Sequence, residues 1–343
     1  MLIVDAHLDL SMNALGGRNV LLPARQQPAD EFGIPTVGLP DLRAGGVGLI
    51  CATVFCMPSI DGKPGYRTGE EARAEGLGQL HWYQRHVQAG NFRFITTGAQ
   101  VKELSNQSAN QSANQSTPAQ AAILLLEGAD ALLGEQDVAN WHAAGMRIVG
   151  LAWRGTRLCG GTGCPGPLTH EGIRLVRQLD QVGIIHDASH LAEESFWQLC
   201  DLSAGPLIAS HSNCRSIVPG DRQLSDEMIR AIVNRGGVVG INFYDKFLLP
   251  PGVHGTRRAT LADVIAHMQH VCDLAGDTAH VAIGTDMDGG LGRNEIPVEI
   301  QTSADLPRLA DALNLAGFTD ASITEIMARN WIQFFATALP SPR

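Results

Sequence analysis

Positive charge is the scarcer sign in this chain: 25 Lys and Arg face 35 Asp and Glu, a formal net charge of −10 at pH 7. That balance argues against a role built on neutralising nucleic-acid phosphates, which needs clustered cations. Long apolar runs are missing too. No stretch approaches the ~18–20 apolar residues needed to cross a bilayer, so no membrane helix is expected. Met1 runs straight into Leu2-Ile3-Val4, without the basic segment and cleavage site of a secretion signal. The short tail Ala336 to Arg343 leads to the expectation that no lipid anchor is used. These absences lead to the expectation of a cytoplasmic protein that binds neither membrane nor nucleic acid. Cysteines are few and odd in number: Cys51, Cys56, Cys159, Cys164, Cys200, Cys214 and Cys272. An odd set with no secretion signal argues for reduced thiols. Cys159 and Cys164 share a Gly-rich loop and could pair or hold a metal, but no second Cys/His pair at zinc-finger spacing accompanies them.

The 343 residues, 44% hydrophobic and 17% charged, suffice for a sizeable core. Short apolar runs alternate with helical patterns, which predicts a parallel sheet with outer helices. Eight strands are expected near 2–8, 47–55, 122–127, 146–152, 183–187, 206–210, 237–243 and 280–285. Helices are expected near 68–89, 135–144, 169–182, 192–202, 224–235, 260–275, 305–316 and 319–336. Thr169-His170-Glu171 and Leu224-Ser225-Asp226-Glu227 read as capped helix starts with acidic first turns. This pattern fits an α/β fold of the (β/α)8 TIM-barrel type. No linker divides 1–343, so a single domain is expected. One segment breaks the pattern. Asn106 to Thr117 reads NQSANQSANQST, polar with no apolar face, and predicts a flexible low-complexity insertion at 105–118. Its N-x-S sequons at Asn106, Asn110 and Asn114 would matter only in a secretory pathway.

Five apolar runs lead into residues that can bind a metal or move a proton: Asp5-Ala6-His7-Leu8-Asp9, Glu127, Asp187-Ala188-Ser189-His190, Ser210-His211 and Asp286. In a parallel barrel, catalytic groups sit at the strands' C-terminal ends. Residues two apart on a strand share a face, so His7 and Asp9 could bind one ion. Glu127 is either a helix-capping or surface acid, or a carboxylate whose two oxygens each hold one ion of a pair. His190 and His211 end consecutive strands and could converge on one ion; packed core histidines are the alternative. Asp187, Ser189, Ser210 and Ser212 could supply hydrogen bonds that fix their tautomers. Asp286, closer to its strand end than Asp288, is the preferred general base. The remaining histidines, His81, His86, His142, His267, His270 and His280, read as packed or solvated; His254 lies in an irregular loop, and His186, inside the fifth expected strand, stays open.

The segments DAHLD (5–9), LEG (126–128), DASHL (187–191), ASHSN (209–213), DRQLSD (221–226), GGVVGINF (236–243) and GTDMDG (284–289) together resemble the renal (membrane) dipeptidase family, the zinc dipeptidases of the amidohydrolase-like barrels. The resemblance spans Asp5 to about Asn330 and points to the soluble bacterial-type branch. It implies two Zn2+ ions per chain: one held by His7 and Asp9, the other by His190 and His211, with Glu127 bridging. It further implies a bridging water that attacks the amide of a dipeptide, L-Xaa–L-Xaa or L-Xaa–D-Xaa. Asp286 would move the proton, and Arg222 would grip the substrate's carboxylate. A homodimer is the implied assembly. The sequence departs from the family at Trp153, which stands where mammalian-type members place a substrate-binding histidine. An indole can donate one hydrogen bond but cannot become cationic. Arg154 or Arg157 could then assist. The departure keeps open a related amidohydrolase that acts on N-acyl amino acids or similar carboxylate-bearing amides or esters. A non-catalytic barrel is the remaining alternative.

Overall fold

Apolar runs without polar alternation become strands buried on both faces, as parallel sheets require. A computed structural model describes residues 1–60, 62, 64–108 and 119–341. Its strands are β1 (Ile3–Leu8), β2 (Val47–Phe55), β3 (Phe92–Phe94), β4 (Gln120–Glu127), β5 (Met146–Gly150), β6 (Ile185–Asp187), β7 (Leu207–Ile208), β8 (Val239–Ile241) and β9 (Val281–Ile283). All pairings between them are parallel, in the order β1-β2-β4-β5-β6-β7, with β3 beside β4 and a separate β8-β9 pair. Among the described residues a single bridge, Ala209 to Val239, joins the two arcs. The result is a curled parallel α/β sheet. Among the described residues no ladder links β9 to β1. Instead Asp5 accepts from Thr285 N (2.9 Å) and Thr285 Oγ1 (2.6 Å).

The helices are α1 (Leu10–Leu15), α2 (Leu39–Ala44), α3 (Gly69–Gln88), α4 (Gly98–Ser108), α5 (Glu135–Ala143), α6 (His170–Gln181), α7 (Glu193–Leu202), α8 (Asp226–Asn234), α9 (Asp245–Leu248), α10 (Leu261–Ala275), α11 (Pro307–Leu315), α12 (Asp320–Thr324) and α13 (Asn330–Ala338). The expected caps are present: Thr169 accepts from Gly172 N and Ser225 from Met228 N. No described helix is long and apolar enough to cross a membrane. Alternate residues of the strands divide into two cores. Val4, Ile123, Ile148, Ile185 and Ile208 pack with Trp331 and Phe335 of α13 on one face. Their sequence neighbours, such as Ile3, Leu124 and Val149, belong to a second core with Leu42, Leu175, Phe196 and Ile229 of α2, α6, α7 and α8. Residues 105–108 of the expected insertion lie in the last turn of α4, and 109–118 lie outside the described residues. All seven cysteines are free thiols, including Cys159 and Cys164.

Candidate metal and substrate site

The strands' C-terminal ends carry the site, but strand alternation does not explain it. His7 lies near the end of β1, where the pairing register slips between Asp5 and Leu8. Asp9 is already past the strand, at the N-cap of α1. Its carboxylate makes no cap hydrogen bond, and its Oδ1 has no partner among the described residues. Glu127 is the last residue of β4, two positions after Leu125 of the core shared with α13. His190 and His211 each lie three residues beyond β6 and β7. Glycines let these ends converge: a Cβ on Gly240 or Gly284 would fall 2.0 or 1.8 Å from Ser210 O, just before His211.

The five side chains meet in a buried cluster. Glu127 Oε2 lies 3.4 Å from His7 Nε2, and Oε1 lies 3.2 Å from His190 Nε2 and 3.3 Å from His211 Nε2. His7 Nε2 is 3.6 Å from Asp9 Oδ2, and the two imidazole Nε2 atoms of His190 and His211 are 3.0 Å apart. Three overlapping groups could each hold an ion: His7, Asp9 and Glu127; Glu127, His190 and His211; and His7, His211 and Asp286. Their outer atoms are tied down. Ser210 Oγ donates to Asp187 Oδ2 (2.5 Å), so toward His211 Nδ1 (2.8 Å) it accepts. That leaves His211 Nε2 as a lone pair facing the cluster. His190 Nδ1 is held by Thr162 Oγ1 at 3.0 Å.

Electrostatics follow from burial and mutual proximity. Burial pushes His190 down to about 4, helped by the Arg222 charge. Burial and the neighbouring His7 charge hold His211 well below the ordinary imidazole value. Burial opposes a charge on Glu127, but His7, His190 and His211 outweigh it and keep the carboxylate ionised. His7 is raised well above its ordinary value: burial opposes this, and Glu127 and Asp9 prevail. Two neutral imidazoles and unpartnered atoms on His7, Asp9 and Glu127 form a donor set suited to divalent cations.

Asp286 borders the same cavity, with Oδ2 accepting from Asn242 Nδ2 at 2.9 Å. Burial, then Asp9 and Glu127 against the opposing pull of His7, raise it to about 8. Both His190 (φ 65°) and Asp286 (φ 59°) adopt the left-handed backbone region, a strained choice for non-glycine residues and common at functional sites. Asp288 is committed elsewhere. It accepts from Thr36 N and Oγ1 and from Val37 N, and lies 3.2 Å from Arg18 Nη1. The cavity holds about 290 Å³, and its apolar lining includes Phe55, Trp153, Tyr244 and Phe247. Arg222 is buried beside it, with its guanidinium 5.1 Å from the Phe247 ring centre. Its Nη1 and Nη2 donate to Ser212 Oγ (2.9 Å) and His211 O (2.7 Å), and its Nε has no partner among the described residues.

A family model for the membrane dipeptidases, peptidase family M19, matches residues 1–339. The chain belongs to that family. A solved M19 dipeptidase aligns with a TM-score of 0.82 over 99% of both chains, at 25% identity. A metallopeptidase from Rhodobacter sphaeroides, solved with a phosphinate mimic of the dipeptide L-Ala-D-Ala, aligns at 0.81 over 98% of both chains, again 25% identical. An uncharacterized dipeptidase of Schizosaccharomyces pombe is 25% identical over 307 residues, covering 86% of this chain and 71% of its own. An uncharacterized protein of the pqqA 5′ region in Klebsiella pneumoniae is 34% identical over 223 residues, covering 62% of this chain and 80% of its own. The membrane dipeptidase family is one of metal-dependent dipeptidases, and this member has their fold.

Within this family member, Arg154 and Arg157 separate. Arg154 lines the cavity, and its Nε donates to Cys164 Sγ at 3.4 Å. Arg157 instead pairs with Glu171 and Asp130 and donates to Leu132 O (2.6 Å), away from the cavity. His186 lies against Asp180 at 2.7 Å, outside the cluster. Sequence reasoning missed Asn242, Thr162 and the Asp5–Thr285 tie. Each is a lone polar residue whose partner is remote in sequence, so no local pattern marks it.

Proposed function

We propose that this family member hydrolyses dipeptides, L-Xaa–L-Xaa or L-Xaa–D-Xaa, with two zinc ions seated on His7, Asp9, Glu127, His190 and His211. The observation that carries the reading is the seat of Glu127, whose two oxygens face different sets: Oε2 toward His7 at 3.4 Å, Oε1 toward His190 and His211 at 3.2 and 3.3 Å. A carboxylate so placed suits a bridge between two cations, which its uncharged amide would not. When bound, the ions would supply Lewis acidity and an activated water at neutral pH. The chain's own residues do the rest. With cations offsetting the Asp9 and Glu127 charges that raise it, Asp286 would be ionised; steadied by Asn242, it takes a proton from the water side and returns it to the leaving amine. Arg222 offers its unpartnered Nε and remaining N–H groups to the substrate's carboxylate. The aromatic walls exclude bulk water and strengthen these interactions. In this reading the curled sheet is a (β/α)8-type barrel whose seam runs between β9 and β1, and 1–343 is one hydrolase domain.

Trp153 favours keeping one alternative: a hydrolase of N-acyl amino acids on the same metals. Its indole lines the cavity where a cationic imidazole could have polarised a peptide carbonyl. Amine release by the zinc-reconstituted protein from L-Ala–L-Ala, L-Ala–D-Ala and N-acetyl-L- and D-alanine separates the two. Cleavage of the dipeptides supports the first reading; cleavage of the acetyl compounds alone replaces it with the second.

A further inference from the structure

We propose that Phe55, Met57 and Trp153 form a side-chain subsite that selects dipeptides with a bulky apolar residue at the amino-terminal position. The inference rests on the dipeptidase reading and on Arg222 as the carboxylate contact.

Phe55 is the last residue of β2 and stands in register with Glu127 on β4. Its perch is fixed: Phe55 N donates to Gln79 Oε1 at 3.1 Å, and Gln79 Nε2 donates back to Phe55 O. Gln79 is itself buried, so this clamp is shielded from water. The Trp153 ring, from the loop after β5, lies 5.3 Å from the Phe55 ring and 6.0 Å from that of His190. Phe55 and Trp153 thus flank the strand that presents Glu127, and Met57 continues their surface along the cavity. Arg222 is held on His211 O and Ser212 Oγ, past the end of β7, which lies two strands along the sheet from β5 and farther still from β2. A dipeptide whose carboxylate reaches Arg222 and whose amide lies over Glu127 places its amino-terminal side chain against this wall. Such a wall gains free energy from each apolar group it removes from water and offers a small side chain little. The position that could have been a polar histidine is here part of the apolar surface. Arg154 lines the same mouth and makes an acidic side chain the natural competitor.

The test is kcat/KM of the metal-loaded protein on L-Phe–L-Ala, L-Ala–L-Phe, L-Glu–L-Ala and L-Ala–L-Ala. L-Phe–L-Ala is expected to exceed L-Ala–L-Ala by ~10–100-fold and to exceed L-Ala–L-Phe. Phe55→Ala and the milder Met57→Ala are expected to shrink the Phe–Ala to Ala–Ala ratio. A ratio near one in the unmodified protein overturns the proposal, as does a lead for L-Ala–L-Phe. A lead for L-Glu–L-Ala overturns it in favour of Arg154. Cleavage of none of the four, with metal bound, instead refutes the dipeptidase reading beneath it.

Discussion

Glu127 touches three histidines at once, so its charge is the most consequential in the site. Glu127→Gln is expected to lose at least one of two bound ions and essentially all turnover; elemental analysis of the metal-loaded protein reads the first, amine release the second. Retention of both ions at normal turnover would overturn the proposed bridging role of Glu127. The two aspartates of Gly284-Thr285-Asp286-Met287-Asp288 make a sharper contrast. Asp286→Asn is expected to keep its metal and lose ~10²–10⁴ in kcat. Asp288→Asn removes the charge facing buried Arg18 and is expected to cost ~1–3 kcal/mol of stability, read by denaturant unfolding. The reverse pattern would exchange the roles of the pair. His7, Asp9, Glu127, His190, His211 and Asp286 were legible in the sequence because each closes or follows an apolar run. Asn242 was not: it meets Asp286 across 44 residues, through a contact that only the fold creates.

Among the elements, capped helices were the easiest to foresee; the short α1, α2 and α9, together with α4, were not expected, and the expected helix 319–336 divides into α12 and α13. Thr169 and Ser225 announced α6 and α8 because a capping side chain acts locally. β3 went unseen: Phe92–Phe94 is three residues long, and its place is set by pairing with β4. The later strands are also shorter than their apolar runs, β7 being only Leu207–Ile208, since the chain leaves the sheet early to carry His190 and His211 inward. The His7-x-Asp9 spacing suggested two neighbours on one strand face; the two side chains do lie 3.6 Å apart, but Asp9 belongs to the start of α1. α10 offers a test of buried charge. Its His267 is fully buried, accepts from Cys214 N at 3.1 Å, and is pushed by burial down to about 4. The unfolded chain therefore binds the proton first. Stability contributed by neutral His267 is complete above pH ~6.5 and is lost as pH falls toward 4, by roughly 3 kcal/mol. Thermal melts of the metal-free protein at pH 7, 5.5 and 4.5 are expected to show this slope, and His267→Gln to flatten it. An equal slope in both proteins would assign the acid sensitivity elsewhere.

At the scale of the whole molecule, the site gathers side chains from β1, β4, the β6 and β7 loops and the β9 loop. Ions held there would therefore fasten distant parts of the chain together. Chelation is expected to lower the melting temperature, and zinc at a hundredfold over its Kd to restore ~2.7 kcal/mol; calorimetry with and without chelator reads the difference. An unchanged melt would mean that these residues hold no tightly bound ion. The curled parallel sheet was legible because strand and helix patterns alternate along the chain. The tie between its first and last strands was not, since Asp5 and Thr285 are separated by 280 residues. That tie leaves the molecule with one weak direction. Among the described residues no backbone ladder joins these two strands; the Asp5 carboxylate ties them, with His7 and Asp9 following it on one side and Asp286 beside Thr285 on the other. A small gape along this line would draw Asp286 away from His7 and Asp9 while every helix stayed folded. The enzyme would then fall silent by coming unbuttoned, well before it melted.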